Sequence, residues 1–148
     1  MSSESNSVNT PAGRLVSAFG NPERMVALLA PDVRWSLPLS TPFPRPIEGR
    51  DAVLVTMRKI WSEVYRPDVE IEILDELGDD TISAVRFNYR AFAHYVSRVY
   101  ENEYTLFARS GPEGITDVNE AFDTKRTLDF FRPEEKNDFR GLREASRP

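Results

Sequence analysis

Glu120 lies two residues from Val118 and two from Phe122, in a segment that alternates with the period of a β-strand. A regular strand would project its carboxylate from the same face as two apolar side chains. Desolvation on such a face disfavours the charged form and raises the carboxyl pKa toward neutrality, giving a group that can donate or accept a proton near pH 7. Two structural alternatives stand beside this reading: a bulge that turns Glu120 outward, or neutralisation by an arginine such as Arg86 or Arg90. Asn102 shares a strand face with Tyr100, Tyr104 and Leu106. Its amide could hold a ligand carbonyl as charge develops there, or it could be a polar residue satisfied by neighbouring backbone. His94, the only histidine, is a candidate proton shuttle or ligand clamp, with a surface or packed histidine as the plainer alternative. One histidine without HxH or HxxxE spacing does not make a metal site. Trp35, Trp61, Phe87, Tyr89 and Tyr104 supply the aromatic surface that lines a cavity for a planar or polycyclic ligand, and equally the surface that fills a core.

The elements that must position these residues follow from local signals. Thr10 and Pro11 begin a short helix that Gly20 can stop, and Asn21 and Pro22 begin a second over 22–30, which Pro31 ends. Val33, Trp35 and Leu37 alternate with polar residues and predict a strand with Trp35 inward. Prolines at 38, 42, 44 and 46 make the next stretch a stiff loop, a candidate rim. Asp51 is a good N-cap for a helix over 51–65, with Val53, Met57, Ile60, Trp61 and Val64 at helical spacing. Strands are expected over 69–77, 82–95, 99–110 and 115–122, joined by turns at 78–80 and 111–114. A last helix starting at Thr124 is expected to bury Leu128 and Phe131. Helices first and antiparallel strands after predict an α+β domain whose helices pack on one face of a curved sheet, enclosing a pocket. One domain over 10–132 is expected, between a polar disordered tail at 1–9 and a charged tail at 133–148.

Composition narrows the function. The 148 residues include no cysteine, which excludes disulfides, thiol nucleophiles and cysteine-ligated zinc. A net charge of −5 argues against nucleic acid and anionic membranes as partners and favours a small neutral or weakly polar ligand, which the aromatic wall makes a small hydrophobic or aromatic molecule. The first residues lack the basic and apolar regions of a signal peptide, so a cytoplasmic location is expected. No glycine-rich phosphate loop, serine-nucleophile motif or metal signature is present, and no cofactor is expected.

Three segments then carry a resemblance. LLAPDVRWSLP at 28–38, IEGRDAV at 47–53, and YENEYTLF at 100–107 with GITDVNEAFD at 114–123 resemble, in this order, the nuclear-transport-factor-2-like superfamily. The likeness is to its SnoaL-like cyclases and its phenazine-biosynthesis A/B-type proteins. It implies a cone-shaped (cystatin-like) fold over nearly the whole domain and homodimers through the outer sheet face, where Phe107 would be covered. It also implies either cofactor-free isomerase, cyclase or dehydratase chemistry or a non-catalytic ligand-binding or scaffold role. Glu120 matches a pocket glutamate that acts as acid or base in the phenazine A/B-type proteins, and Asn102 aligns with the oxyanion-stabilising position of ketosteroid-isomerase-like relatives. Two departures accompany the match. The aspartate base that ketosteroid isomerases carry near the end of the first strand is replaced here by Trp35-Ser36-Leu37-Pro38. The early third-helix histidine of the phenazine A/B-type proteins gives way to Thr56 and Met57.

Overall fold

The computed structural model describes residues 8–94 and 97–132. The expected disordered tail at 1–9, except its last two residues, and the charged tail at 133–148 lie outside the described residues. Two short helices open the domain. In α1 (Pro11–Ser17) the Thr10 hydroxyl accepts from the Gly13 amide at 3.1 Å, and in α2 (Pro22–Val26) the Asn21 side chain accepts from Arg24 at 3.2 Å. These caps satisfy amides that a helix start leaves open. The Glu76 carboxylate accepts from the Asn9 and Thr10 amides at 3.2 and 2.9 Å and holds the start of α1 against the sheet.

α2 is shorter than the expected 22–30. Leu29, Ala30 and Pro31 belong to strand β1 (Leu29–Ser36), because the chain leaves the helix to pair with β6 (Gly114–Phe122). The proline is tolerated there because the β1–β6 register is irregular between Leu29 and Arg34. After the proline-rich loop comes a two-residue strand β2 (Ile47–Glu48), which the sequence did not suggest. α3 (Arg50–Lys59) follows, with Gly49 rather than Asp51 at its cap. The expected helix over 51–65 is not uniform: Ile60–Val64 form a wider π-helical turn that directs Trp61 into the core.

β3 (Glu70–Gly78), β4 (Ile82–Phe92), β5 (Val99–Gly111) and β6 form an antiparallel run. β1 adds to β6 in parallel, giving one mixed six-stranded sheet in the order β2-β1-β6-β5-β4-β3. The last helix, α4 (Thr124–Phe131), begins at the expected residue, capped by Asp123. It leaves Leu128 51% exposed, contrary to the expected burial, and Phe131 only partly buried. The result is the expected α+β cone: a curved sheet whose inner face packs Val85, Phe87, Tyr89, Tyr100, Tyr104, Leu106 and Val118 against the helices.

Gly114 permits the β1–β6 junction. Its φ of +121° is in the region that favours glycine, and a Cβ there would lie 2.8 Å from the Leu28 carbonyl oxygen, beside the point where the Ile115 amide donates to the same oxygen. Gly114→Ala is expected to destabilise the fold by about 2 kcal/mol or more, from strain and backbone clash together. Urea unfolding followed by circular dichroism measures this, and an unchanged midpoint would show that the junction does not depend on glycine.

Candidate functional site

Alternation along β6 places Val118, Glu120 and Phe122 on the inner face, as expected. Register then sets the neighbours of the carboxylate. Leu106 on β5 is opposite Glu120, Tyr104 is opposite Phe122, and Trp35 on β1 is beside Val118. No bulge turns Glu120 outward. Nor does an arginine neutralise it: Arg86 pairs with Asp75 and Glu103, and Arg90 with Glu70 and Glu101, all on the outer face.

The residue keeps partial access to solvent while its carboxyl group is enclosed by protein. Burial raises its pKa from 4.5 to about 8, and the Trp35 indole N–H beside it offsets part of that rise. The offset falls short of a formed hydrogen bond, because Trp35 Nε1 is buried with no partner in hydrogen-bonding geometry. Trp35 is fully buried. An enclosed carboxyl that is mostly neutral at pH 7 therefore stands beside the buried Trp35 indole N–H.

Polar groups around Tyr100 and Tyr89 satisfy one another, whereas the buried Ser110 hydroxyl has no partner among the described residues. Trp61 Nε1 donates to the Tyr89 hydroxyl at 2.9 Å. Asn102 Nδ2 donates to the Tyr100 hydroxyl and to the Asp123 carbonyl, each at 2.9 Å, and its Oδ1 accepts from the Glu103 amide. Thr127 Oγ1 donates to the Asp123 carbonyl at 3.3 Å, so Tyr100 is the donor to Thr127 at 2.8 Å and Tyr104 the donor to Tyr100 at 2.9 Å. Burial pushes the phenols of Tyr65, Tyr89 and Tyr104 well above their ordinary range, which keeps these hydroxyls protonated.

The sequence-predicted residues thus divide. Trp35, Trp61, Phe87, Tyr89 and Tyr104 all face inward and are buried. Asn102 is also inside, but its amide is spent on Tyr100 and the cap of α4, the outcome in which neighbouring groups satisfy it. His94 is exposed beyond the end of β4, which stops at Phe92 and not within the expected span to 95. Its amide bonds to the Val64 carbonyl. Tyr65 and Tyr100 were not singled out as wall residues, yet they stack at 5.3 Å between centroids. The alternation Tyr100, Asn102, Tyr104 pointed to one of them, whereas Tyr65 follows the π-helical turn and had no periodic signal. Among the described residues no group of three acidic or histidine side chains is placed to hold a metal ion.

An open hollow of about 1070 Å³ lies on the outer face of the sheet, not beside Glu120. Its floor includes Glu70, Glu72, Arg90, Glu101, Glu103 and Arg126. These charges are exposed and largely paired with each other, so it is a solvated surface and not a site for acid–base work.

A family model described as a SnoaL-like domain matches residues 15–132. Among solved structures, an NTF2-like protein from Burkholderia thailandensis is 14% identical, with 85% of this chain and 100% of that chain covered and a TM-score of 0.71. An NTF2-like protein of unknown function from Burkholderia pseudomallei is 18% identical, with coverage of 81% and 93% and a TM-score of 0.69. A candidate polyketide cyclase from Xanthomonas campestris is 17% identical, with coverage of 81% and 93% and a TM-score of 0.67. No curated protein matches the sequence. Likeness at these identities concerns the fold.

The raised carboxyl has a measurable consequence. The folded pKa is about 8 against 4.5 for the free side chain, so between these values the folded state holds the proton more tightly than the unfolded state. Stability should therefore fall as pH rises from about 4.5 to 8 and level off above. Glu120→Gln should remove this slope and raise stability at pH 9 by a few kcal/mol on an order-of-magnitude basis. Denaturant melts across pH 4.5–9 test it, and parallel curves for the two proteins would show that the carboxyl is not perturbed.

Proposed function

This chain belongs to the SnoaL-like domain family, and from that premise we propose that it is a cofactor-independent enzyme performing acid–base chemistry on a small hydrophobic or aromatic carbonyl compound. The reaction is of the isomerase, cyclase or dehydratase type, as in the polyketide-cyclase-like and phenazine A/B-like branches of the superfamily. The observation that carries this reading is the enclosed Glu120 carboxyl on an aromatic face, with no cation beside it among the described residues.

At neutral pH the carboxyl is the acid. It gives its proton to a ligand oxygen, and the carboxylate left in apolar surroundings is strong enough to take a proton from the carbon next to the carbonyl. The carbonyl gains one proton, the carbon loses one, and Glu120 returns to its starting form. One residue thereby performs both transfers, which suits a site with no aspartate at the end of β1. Trp61 and Tyr89 hold each other in the wall, with Phe87 and Tyr104 stacked at 5.4 Å between centroids beside them. Asn102 acts as a positioning residue for Tyr100 and α4. His94 takes no part in the proposed step.

Deuterium uptake next to the carbonyl reads this chemistry without knowledge of the natural substrate. A panel of cyclic ketones, cyclic enones and aryl 1,3-diketones in D2O should include members whose exchange the protein accelerates about 100-fold or more, and Glu120→Gln should lose that acceleration while keeping its circular dichroism spectrum. No acceleration across the panel, or equal acceleration by the variant, would overturn the reading.

A second reading, a non-catalytic scaffold dimerising through the outer sheet face, is favoured by one observation. Leu77, Ala84 and Phe107 are in cross-strand register on that face, with Leu77 65% and Phe107 52% exposed. Covering this strip with a second copy would remove it from water. Phe107→Lys should then shift the protein from dimer to monomer in light scattering, and a wild-type monomer at high micromolar concentration would count against the dimer.

A further inference from the structure

Trp35 is held on both sides by the sheet, paired with Ile47 of β2 and with Val118 of β6. That double pairing fixes its backbone, and full burial fixes its ring. Glu120 follows Val118 by two residues on the same face of β6, so the indole N–H and the carboxyl stand side by side. Trp35 Nε1 makes no bond in hydrogen-bonding geometry, which fits a neutral carboxyl, the weaker of its two forms as an acceptor. A carboxylate accepts about twice as strongly and at shorter range. The other groups around Glu120 offer the ion no charge. Leu106 faces it from β5, and burial pushes the phenols of Tyr89 on β4 and Tyr104 on β5 well above their ordinary range, so both stay neutral. The buried residues of α3, Val53 and Met57, are apolar. Beyond the end of β6, Asp123 accepts from the Arg126 amide, and Lys125 pairs with Asp129 within α4.

We propose that Trp35 is a positioning residue for Glu120: its indole N–H closes onto the carboxylate when the proton leaves and relaxes when the proton returns, so that the protein wall steadies the ion that works as the base. This inference rests on the reading of Glu120 as the working acid. An indole N–H is a donor only, so Trp35 cannot take over the proton transfers; it sets how readily Glu120 gives its proton up. The direction follows from the chemistry. A donor that favours the ion makes Glu120 the stronger acid, and removing that donor leaves the effect of burial unopposed. The two-residue strand β2 takes part through its pairing with Trp35, which keeps the indole at the carboxyl.

Indole 1H–15N spectra of the full chain, recorded from about pH 6 to about pH 10, test this. The Trp35 indole proton should move downfield with one midpoint near 8, whereas Trp61, already donating to Tyr89 at 2.9 Å, should stay in place. In Glu120→Gln, which has no carboxyl to ionise, the Trp35 signal should not titrate. Trp35→Phe should hold the Glu120 proton about ten-fold more tightly, a rise of about one unit in the midpoint read from the carboxyl 13C resonance. A Trp35 signal that ignores the carboxyl titration, or an unmoved midpoint in Trp35→Phe, overturns the inference. If Trp35→Phe fails to fold, the spectra of the wild type and Glu120→Gln decide alone. Deuterium exchange on the ketone panel reads the chemistry separately. No exchange together with a titrating Trp35 indole overturns the acid–base reading and leaves the positioning role standing, and exchange with a silent indole does the reverse.

Discussion

The parallel pairing of β1 with β6 is the constraint on which the site depends. It joins the first strand of the chain to the last, placing Trp35 beside Val118 and therefore within reach of the Glu120 carboxyl. Without that pairing the sheet would be a four-stranded antiparallel run and the indole would have no relation to the acid. The contact is made at a tight point, with the Ile115 amide on the Leu28 carbonyl and a glycine at the turn before it. Closure of this kind carries a high loop-entropy cost, because about eighty residues separate its two sides. The aromatic packing of the inner face offsets that cost.

Polar groups divide by face in a way that bears on function. On the outer face, Arg86 and Arg90 each pair with two carboxylates across β3, β4 and β5. On the inner face, hydroxyls and one amide form a closed network around Tyr100 that ends on the cap of α4. Trp35, Glu120 and the buried Ser110 hydroxyl are among the groups that fall outside both arrangements. An unmet buried donor and an enclosed carboxyl each lower the stability of the free protein.

The family places no single chemistry on the chain, since the same cone supports enzymes and binding modules alike. What separates these is the local arrangement at the inner face. The end of β1 carries Trp35 and Ser36 and no aspartate, and Glu120 stands on the neighbouring strand. In the proposed reaction one carboxyl serves both proton transfers, which calls for a group that is neutral at rest and basic once ionised.

Much was determined by the sequence alone. Caps and prolines marked the starts of α1 and α2, and period-two alternation placed Trp35 and Glu120 on inward faces, because side-chain direction in a strand depends only on parity. Tertiary structure decided the rest. It moved Leu29 and Ala30 from a helix to a strand, since pairing with β6 outweighed local helix signals, and it widened the turn at Ile60–Val64, which no spacing rule foresees. It spent Asn102 on Tyr100 and left Trp35 unpartnered, outcomes set by which strands become neighbours. Parity along one strand is local and therefore legible, whereas the identity of the group across the sheet depends on a pairing between residues far apart in the chain.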